Sequence, residues 1–130
     1  MMQRFTELKV WQRGHALVLS VYRMTTGFPL NERYGLTSQV RRAALSVPTN
    51  IAEGSKRITS QEYARFLNIA EASLAETEYL QMVSRDLGYI TTIMADKAFL
   101  EISELSRMLH GLRKNVEVAA VTTRTGVRTH

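Results

Sequence analysis

Between Tyr34 and Arg57 the apolar residues Leu36, Val40, Ala43, Val47, Ile51 and Gly54 recur at steps of 4, 3, 4, 4 and 3. That spacing sets all six along one side of an α-helix, and such a stripe needs partners to cover it. The rest of the chain supplies them in the same period. Val10, Gly14, Leu17, Val21, Met24 and Phe28 step by 4-3-4-3-4, and a parallel row of Leu8, Trp11, His15, Val18 and Tyr22 runs beside them. A third stripe carries Tyr63, Phe66, Ala70, Leu74, Leu80, Val83 and Leu87, with Thr77 as a polar entry. The fourth, Ala98, Ile102, Leu105, Leu109, Leu112 and Val116, has the spacing of knobs-into-holes packing.

Local chemistry marks the boundaries. Gly27 and Pro29 stop the first helix, the glycine as a left-handed cap and the proline because it cannot continue. Asn31 or Thr37 caps the second. Pro48 lacks a backbone donor and crowds the carbonyl of Ala44, which predicts a kink or a one-turn break. Gly54 reads as a left-handed C-cap. Thr59-x-x-Glu62 forms a capping box for the third helix, which ends at Gly88. Thr91 or Thr92 caps the fourth. The expected helices are about 6–26, 34–54, 60–87 and 92–116, within one domain over 1–116. Residues 117–130, rich in Thr, Gly and Arg, read as a flexible C-terminal tail. Loops this short make neighbours antiparallel, so the fold class is all-α, an up-down-up-down antiparallel four-helix bundle.

One residue ahead of the second helix's apolar stripe runs another row: Gln39, Arg42, Ser46, Asn50 and Glu53. These small or planar hydrogen-bonding groups suit a buried polar seam, with Asn50 and Glu53 substantially buried. Folding the sequence about its loops sets Arg42 near Glu71, Asn50 near Tyr63 and Trp11 beside Asn50. The apolar arc of the first helix is wider than one neighbour needs. Either it sits in a groove between two helices, or its spare side, with Phe5, Val10 and Trp11, meets another subunit.

Reaction chemistry finds little footing. There is no cysteine, which excludes disulfides and thiolate metal sites and suits a reducing cytosol. A bundle di-iron site needs Glu-x-x-His on two helices, and the chain has none. His15, His110 and His130 lack metal-ligand spacing, and Glu76 and Glu78 point to opposite sides of their helix. No enzyme activity, cofactor, metal or small-molecule substrate is expected. Neither is a membrane span or a signal peptide, so the expected location is cytoplasmic.

Charge is the remaining signal. The chain has 17 Lys and Arg against 12 Asp and Glu, a net of +5. Residues 1–58 hold nine basic and three acidic groups, whereas 59–130 hold eight and nine. Arg41, Arg42, Lys56 and Arg57 are the candidate contacts to RNA or DNA phosphates, because such binding draws on several cations at one surface. Arg42 has a competing structural role as a partner of Glu71. A protein–protein scaffold without nucleic acid is the alternative class.

The run Tyr34-Gly35-Leu36, Gln39, Arg41-Arg42-Ala43-Ala44, Ser46, Pro48 and Asn50-Ile51-Ala52-Glu53-Gly54 resembles the signature of the four-helix-bundle proteins encoded by intervening sequences in 23S ribosomal RNA genes. Phe66-Leu67 with Ile69-Ala70, Leu8-x-Val10-Trp11, Phe28-Pro29 and Leu87-Gly88-Tyr89-Ile90 fit the same pattern, so the resemblance spans about Phe5 to Val116. The accessory proteins of diversity-generating retroelements share this fold. One departure is Glu71-Ala72 ahead of Ser73, where that pattern tends to carry a basic residue and a glycine. The resemblance implies a homo-oligomer, a ring-shaped pentamer, and five copies at +5 each would gather 5 × 5 = +25 formal charges, enough to bind RNA or DNA electrostatically.

Overall fold

The computed structural model describes residues 4–125, which form four long helices and, among the described residues, no strand. They are α1 (Lys9–Thr25), α2 (Leu36–Ser55), α3 (Ser60–Asp86) and α4 (Thr92–Thr125), with short 3-10 turns at Phe5–Glu7 and Leu30–Glu32. Successive helices pack side by side and antiparallel. The predicted stripes converge on one core in which Val40, Val47, Ile51, Ala70, Leu74, Leu105 and Leu109 are essentially inaccessible. This is an all-α four-helix bundle.

Three of the four helix starts have a side-chain acceptor, a threonine at two of them, and the third differs from the expectation. Thr59 accepts from Glu62 N at 3.1 Å, the first half of the capping box. The reciprocal half is missing because the Glu62 carboxylate turns to Arg65 instead. Thr91, not Thr92, caps α4 by accepting from Met94 N at 3.1 Å. Neither Asn31 nor Thr37 caps α2; Glu32 reaches across four residues and accepts from Leu36 N at 3.2 Å. The second Glu32 oxygen accepts from Tyr89 Oη at 2.8 Å, which ties the α1–α2 loop to the α3–α4 loop. That bond holds the Tyr89 phenol above its usual range, since a carboxylate partner favours the neutral hydroxyl.

The glycines also sort differently. Gly88 is the left-handed cap of α3, at φ 79°, with Tyr89 N donating to Ser84 O and Gly88 N to Arg85 O, a Schellman ending. No other described glycine has positive φ, so Gly27 and Gly54 are not left-handed caps. Gly54 is buried inside α2 because a Cβ there would stand 2.7 Å from Phe66 Cβ. Pro48 neither breaks α2 nor lies exposed. Its ring faces Gly14 of α1, where an added Cβ would meet Pro48 Cβ and Val47 Cγ1 at 3.4 Å.

The expected tail over 117–130 requires correction. α4 continues to Thr125, nine residues beyond the expected end at 116; residues 126–130 lie outside the described residues. Ala119 and Ala120 are strong helix formers, and the groove between this stretch and Gln61, Ala64, Arg65 and Asn68 shows α4 following α3 to its first turn. Half-buried Ala120, one turn beyond Val116, extends the stripe with a methyl group in place of a bulky side chain. Leu87 also departs from the predicted core row and is exposed. Gln81, unremarked in the sequence, is 2% exposed and its Oε1 has no donor. Its polar neighbours Thr77 and Ser84 instead satisfy themselves on backbone carbonyls one turn back. Gln81→Leu is therefore expected to stabilise the fold by about 1 kcal/mol, read as a higher urea midpoint.

Candidate nucleic-acid interface

The four candidate cations do not form one patch. Arg41 is half-buried and engaged with α1: its Nε donates to Thr25 Oγ1 at 2.7 Å and its guanidinium lies 4.4 Å from the Tyr22 ring centroid. Arg42, one residue on, points about 100° away and is exposed over the α2–α3 groove. Lys56 and Arg57 stand at the far end of α2, in the four-residue turn to α3. Arg57 lies over the Phe66 ring at 4.6 Å, and Arg65 lies over the same ring at 4.8 Å.

Arg42 does not meet Glu71. Glu71 is taken by Arg113 of α4, with His110 Nδ1 at 3.7 Å, and Arg113 also donates to Glu117 at 2.9 Å. The hydrogen bond to Glu71 raises the Arg113 pKa, so this guanidinium stays charged at any relevant pH. The α2–α3 register explains the miss. Ser46 faces Ser73 and Gly54 faces Phe66, so residues on α3 sit more than a turn further along than folding about the loop suggested. Arg42 consequently shares a shallow groove of about 380 Å³ with Gln39, Ser46, Ser73 and Glu76. Asn50 is likewise displaced from Tyr63.

The seam is half of what the sequence implied. Asn50 and Ser46 are half-buried and connected: Asn50 Nδ2 donates to Ser46 O at 2.7 Å and to Ser46 Oγ at 2.9 Å, and Ser46 Oγ bonds Ser73 Oγ at 2.8 Å. Gln39, Arg42 and Glu53 are exposed, so the row is not a buried seam at either end. The reason is angular. A residue one position ahead of the stripe lies about 100° round, at the groove rim, and only short side chains stay inside it. Asn50→Ala is expected to cost about 1 kcal/mol in urea unfolding, while Glu53→Ala changes little.

Val10, one of the residues expected at a subunit contact, is buried within the bundle, and Phe5 packs edge-on against Trp11 with ring centroids 5.3 Å apart. Trp11 in turn stacks on His15 at 5.1 Å. What stays open on this side is further along: Leu19 and Tyr22 on α1 and Leu45 on α2 are exposed. No carboxylate occurs from Lys9 to Thr26, and no charged residue at all from Ala43 to Ala52.

Three arginines of the second half, Arg65, Arg85 and Arg113, and Arg13 of α1 have carboxylate partners, whereas among the described residues Lys97, Arg107 and Lys114 form no ion pair. Arg13–Glu104 and Arg65–Glu62 each close at 2.9 Å, as does Arg85–Asp86. The arginine partners hold the Glu62 and Glu104 carboxyls below their usual range, first through the hydrogen bond and then through charge. What stability these exposed pairs give is present above the unfolded carboxylate pKa and is lost as pH falls through the lowered one. Among the described residues no group of three or more His, Asp or Glu is placed to hold a metal ion, and no helix is long and apolar enough to cross a membrane.

No curated protein matches the chain significantly. Among solved structures it is similar to a protein of unknown function from the S23 ribosomal protein family of Bacteroides thetaiotaomicron, with a TM-score of 0.74 and 21% identity. That match covers 81% of this chain and 98% of the other, and at this identity it speaks for the fold alone. The family model described as 23S rRNA-intervening sequence protein matches residues 6–111, nearly the whole bundle. With that match over the same four helices that its apolar stripes build, the chain belongs to the 23S rRNA-intervening sequence protein family.

Proposed function

We propose that this protein is a non-enzymatic, oligomeric cytoplasmic bundle that binds RNA or DNA through cations of its α1–α2 half. The observation that carries this reading is the uneven use of charge. In α3 and α4 Arg65, Arg85 and Arg113 are each matched by a carboxylate, whereas among the described residues Arg42, Lys56 and Arg57 have no carboxylate within ion-pair distance. Unmatched, exposed cations release counterions when they meet phosphate, which is the main source of non-specific affinity. Assembly multiplies them, because one protomer at +5 presents few contacts at once.

Self-association is supported by the outward side of α1 and α2, where Leu19, Tyr22 and Leu45 are exposed and charge is absent over three turns of α2. Depletion of charge along the α2 side that carries Leu45 is the composition of an interface core, with Arg41 over the Tyr22 ring at its edge. The family resemblance favours a pentamer. Light scattering tests it directly: a mass near the 14.8 kDa of one chain at micromolar concentration overturns the assembly.

Nucleic-acid binding is tested by gel-shift titration of an RNA and a DNA over a salt series. Affinity should fall steeply between about 50 and 200 mM salt. Changing Lys56 and Arg57 to Glu should weaken binding evenly across sequences and flatten the log–log slope by roughly one unit per lost contact. If the wild type shifts neither nucleic acid at about 50 mM salt, the family member is a protein–protein scaffold instead.

A further inference from the structure

The turn Lys56-Arg57-Ile58-Thr59 carries one side chain that the fold gives no reason for. Ile58 is 101% exposed, standing wholly in solvent at the tip of a four-residue connection. Leaving an isoleucine there forfeits the burial that such a side chain favours elsewhere. Around it the turn is unusually well built. Gly54 lets α3 approach α2 until Phe66 Cβ would nearly touch a side chain there, and this fixes the Phe66 ring beside the turn. Arg57 and Arg65 both lie over that ring, at 4.6 and 4.8 Å, so each guanidinium has a preferred position. Lys56 adds a third cation, and Arg65 is partly neutralised by Glu62 at 2.9 Å, while Glu53 lies one helical turn back. The 3-10 turn that follows Arg4 also packs on α2, at the end of the bundle where α1 begins.

An aliphatic tip flanked by fixed cations is the combination with which proteins enter a groove of duplex nucleic acid, hold the phosphates and pry apart a base step. We infer that the α2–α3 turn is a wedge for a duplex: Lys56 and Arg57 grip phosphates while Ile58 inserts between adjacent base pairs. This rests on the nucleic-acid reading above and assigns it a structural mode, binding that distorts the duplex. Phosphate contacts alone would leave the stacking intact; the isoleucine is what adds unstacking. Alternating the two kinds of contact also makes flexible pyrimidine–purine steps the favoured sites, since these open at least cost.

The test uses the full chain with short DNA and RNA duplexes carrying 2-aminopurine at a central pyrimidine–purine step, whose fluorescence rises on unstacking. Binding and fluorescence are read together over a salt series. Wild type should bind and raise the fluorescence. Ile58→Ala should abolish the rise and weaken binding about tenfold, with an unchanged salt slope. Lys56→Gln with Arg57→Gln should lower the slope instead. Circular dichroism should report an intact helical fold for each variant, since all three residues are exposed or at the turn. Binding without a fluorescence rise, or a rise that survives Ile58→Ala, overturns the wedge and leaves the nucleic-acid reading standing. Failure of the wild type to bind either duplex overturns the wedge, and failure in the gel shifts above as well overturns both. An oligomer that dissociates in Ile58→Ala assigns the residue to a contact between copies and also overturns the wedge.

Discussion

Leu67→Ala is expected to lower the stability of the bundle by about 2–5 kcal/mol, the range for emptying a large, fully enclosed aliphatic site. Leu67 has no accessible surface and belongs to the cluster that joins α2, α3 and α4. The cost combines the lost transfer energy of the removed carbons with a cavity that long, well-packed helices cannot easily close. Leu87→Ala is the matched comparison. Leu87 is 54% exposed just past the end of α3, and its truncation is expected to stay within ~0.5 kcal/mol. Urea unfolding of the two variants checks both values at once, with a large drop in midpoint for the first and almost none for the second. Similar midpoints would mean that the α3 face is turned away from the orientation described.

Gly54→Ala is expected to cost about 1–3 kcal/mol, against the usual trend for glycines inside helices. Alanine gains roughly 1 kcal/mol of helix propensity over glycine. Here the new methyl would stand 2.7 Å from Phe66 Cβ and 3.1 Å from Tyr63 Cδ1. A Cβ cannot swing aside as a side-chain tip can, so α3 itself must retreat. Gly111 provides the control within the same molecule. It lies in α4 with nothing within 4 Å of an added Cβ, and Gly111→Ala should stabilise by up to about 1 kcal/mol. Opposite signs for the two glycines are the expected outcome of thermal or urea unfolding. Stabilisation in both would show that the α2–α3 crossing has room to spare.

These pairs also show how far the sequence could be read. The steps of three and four placed Val40, Val47, Ile51, Ile102, Leu105 and Leu109 in the core, because a helical period fixes the side on which a residue lies. Period does not fix how wide that side is. Leu67 and Leu87 both fall near the α3 stripe, and only the presence or absence of a facing helix separates them. Nor does it fix the offset between neighbours. The register of α3 on α2 follows from how closely Gly54 admits Phe66, a distance that no spacing records, and it carried Arg42 away from Glu71. Long side chains were the least legible part. Arg41 can reach several carbonyls and rings, and the selection of Thr25 and Tyr22 depends on where α1 lies. Glu32 was invisible for the same reason: it caps α2 and holds Tyr89 of a distant loop. The candidate interface was legible as residue types and not as a surface, since two of its four cations proved to be neighbours of different helices.

The unevenness of the helix contacts bears on how the chain reaches this structure. α2 touches α3 most, α3 touches α4 next and α1 touches α2 after that, whereas α1 and α4 meet least among the helix pairs in contact. Nearly every contact thus joins helices adjacent along the chain, a topology with short loops to close and therefore rapid formation, on the microsecond-to-millisecond scale of helical bundles. The α2–α3 hairpin is the natural place for it to begin, with the outer helices added to either flank. The last step is the meeting of the two helices furthest apart in sequence, held at its surface by Arg13 and Glu104. That closing edge is where amide exchange should be fastest among the long helices, and where the native bundle would first open.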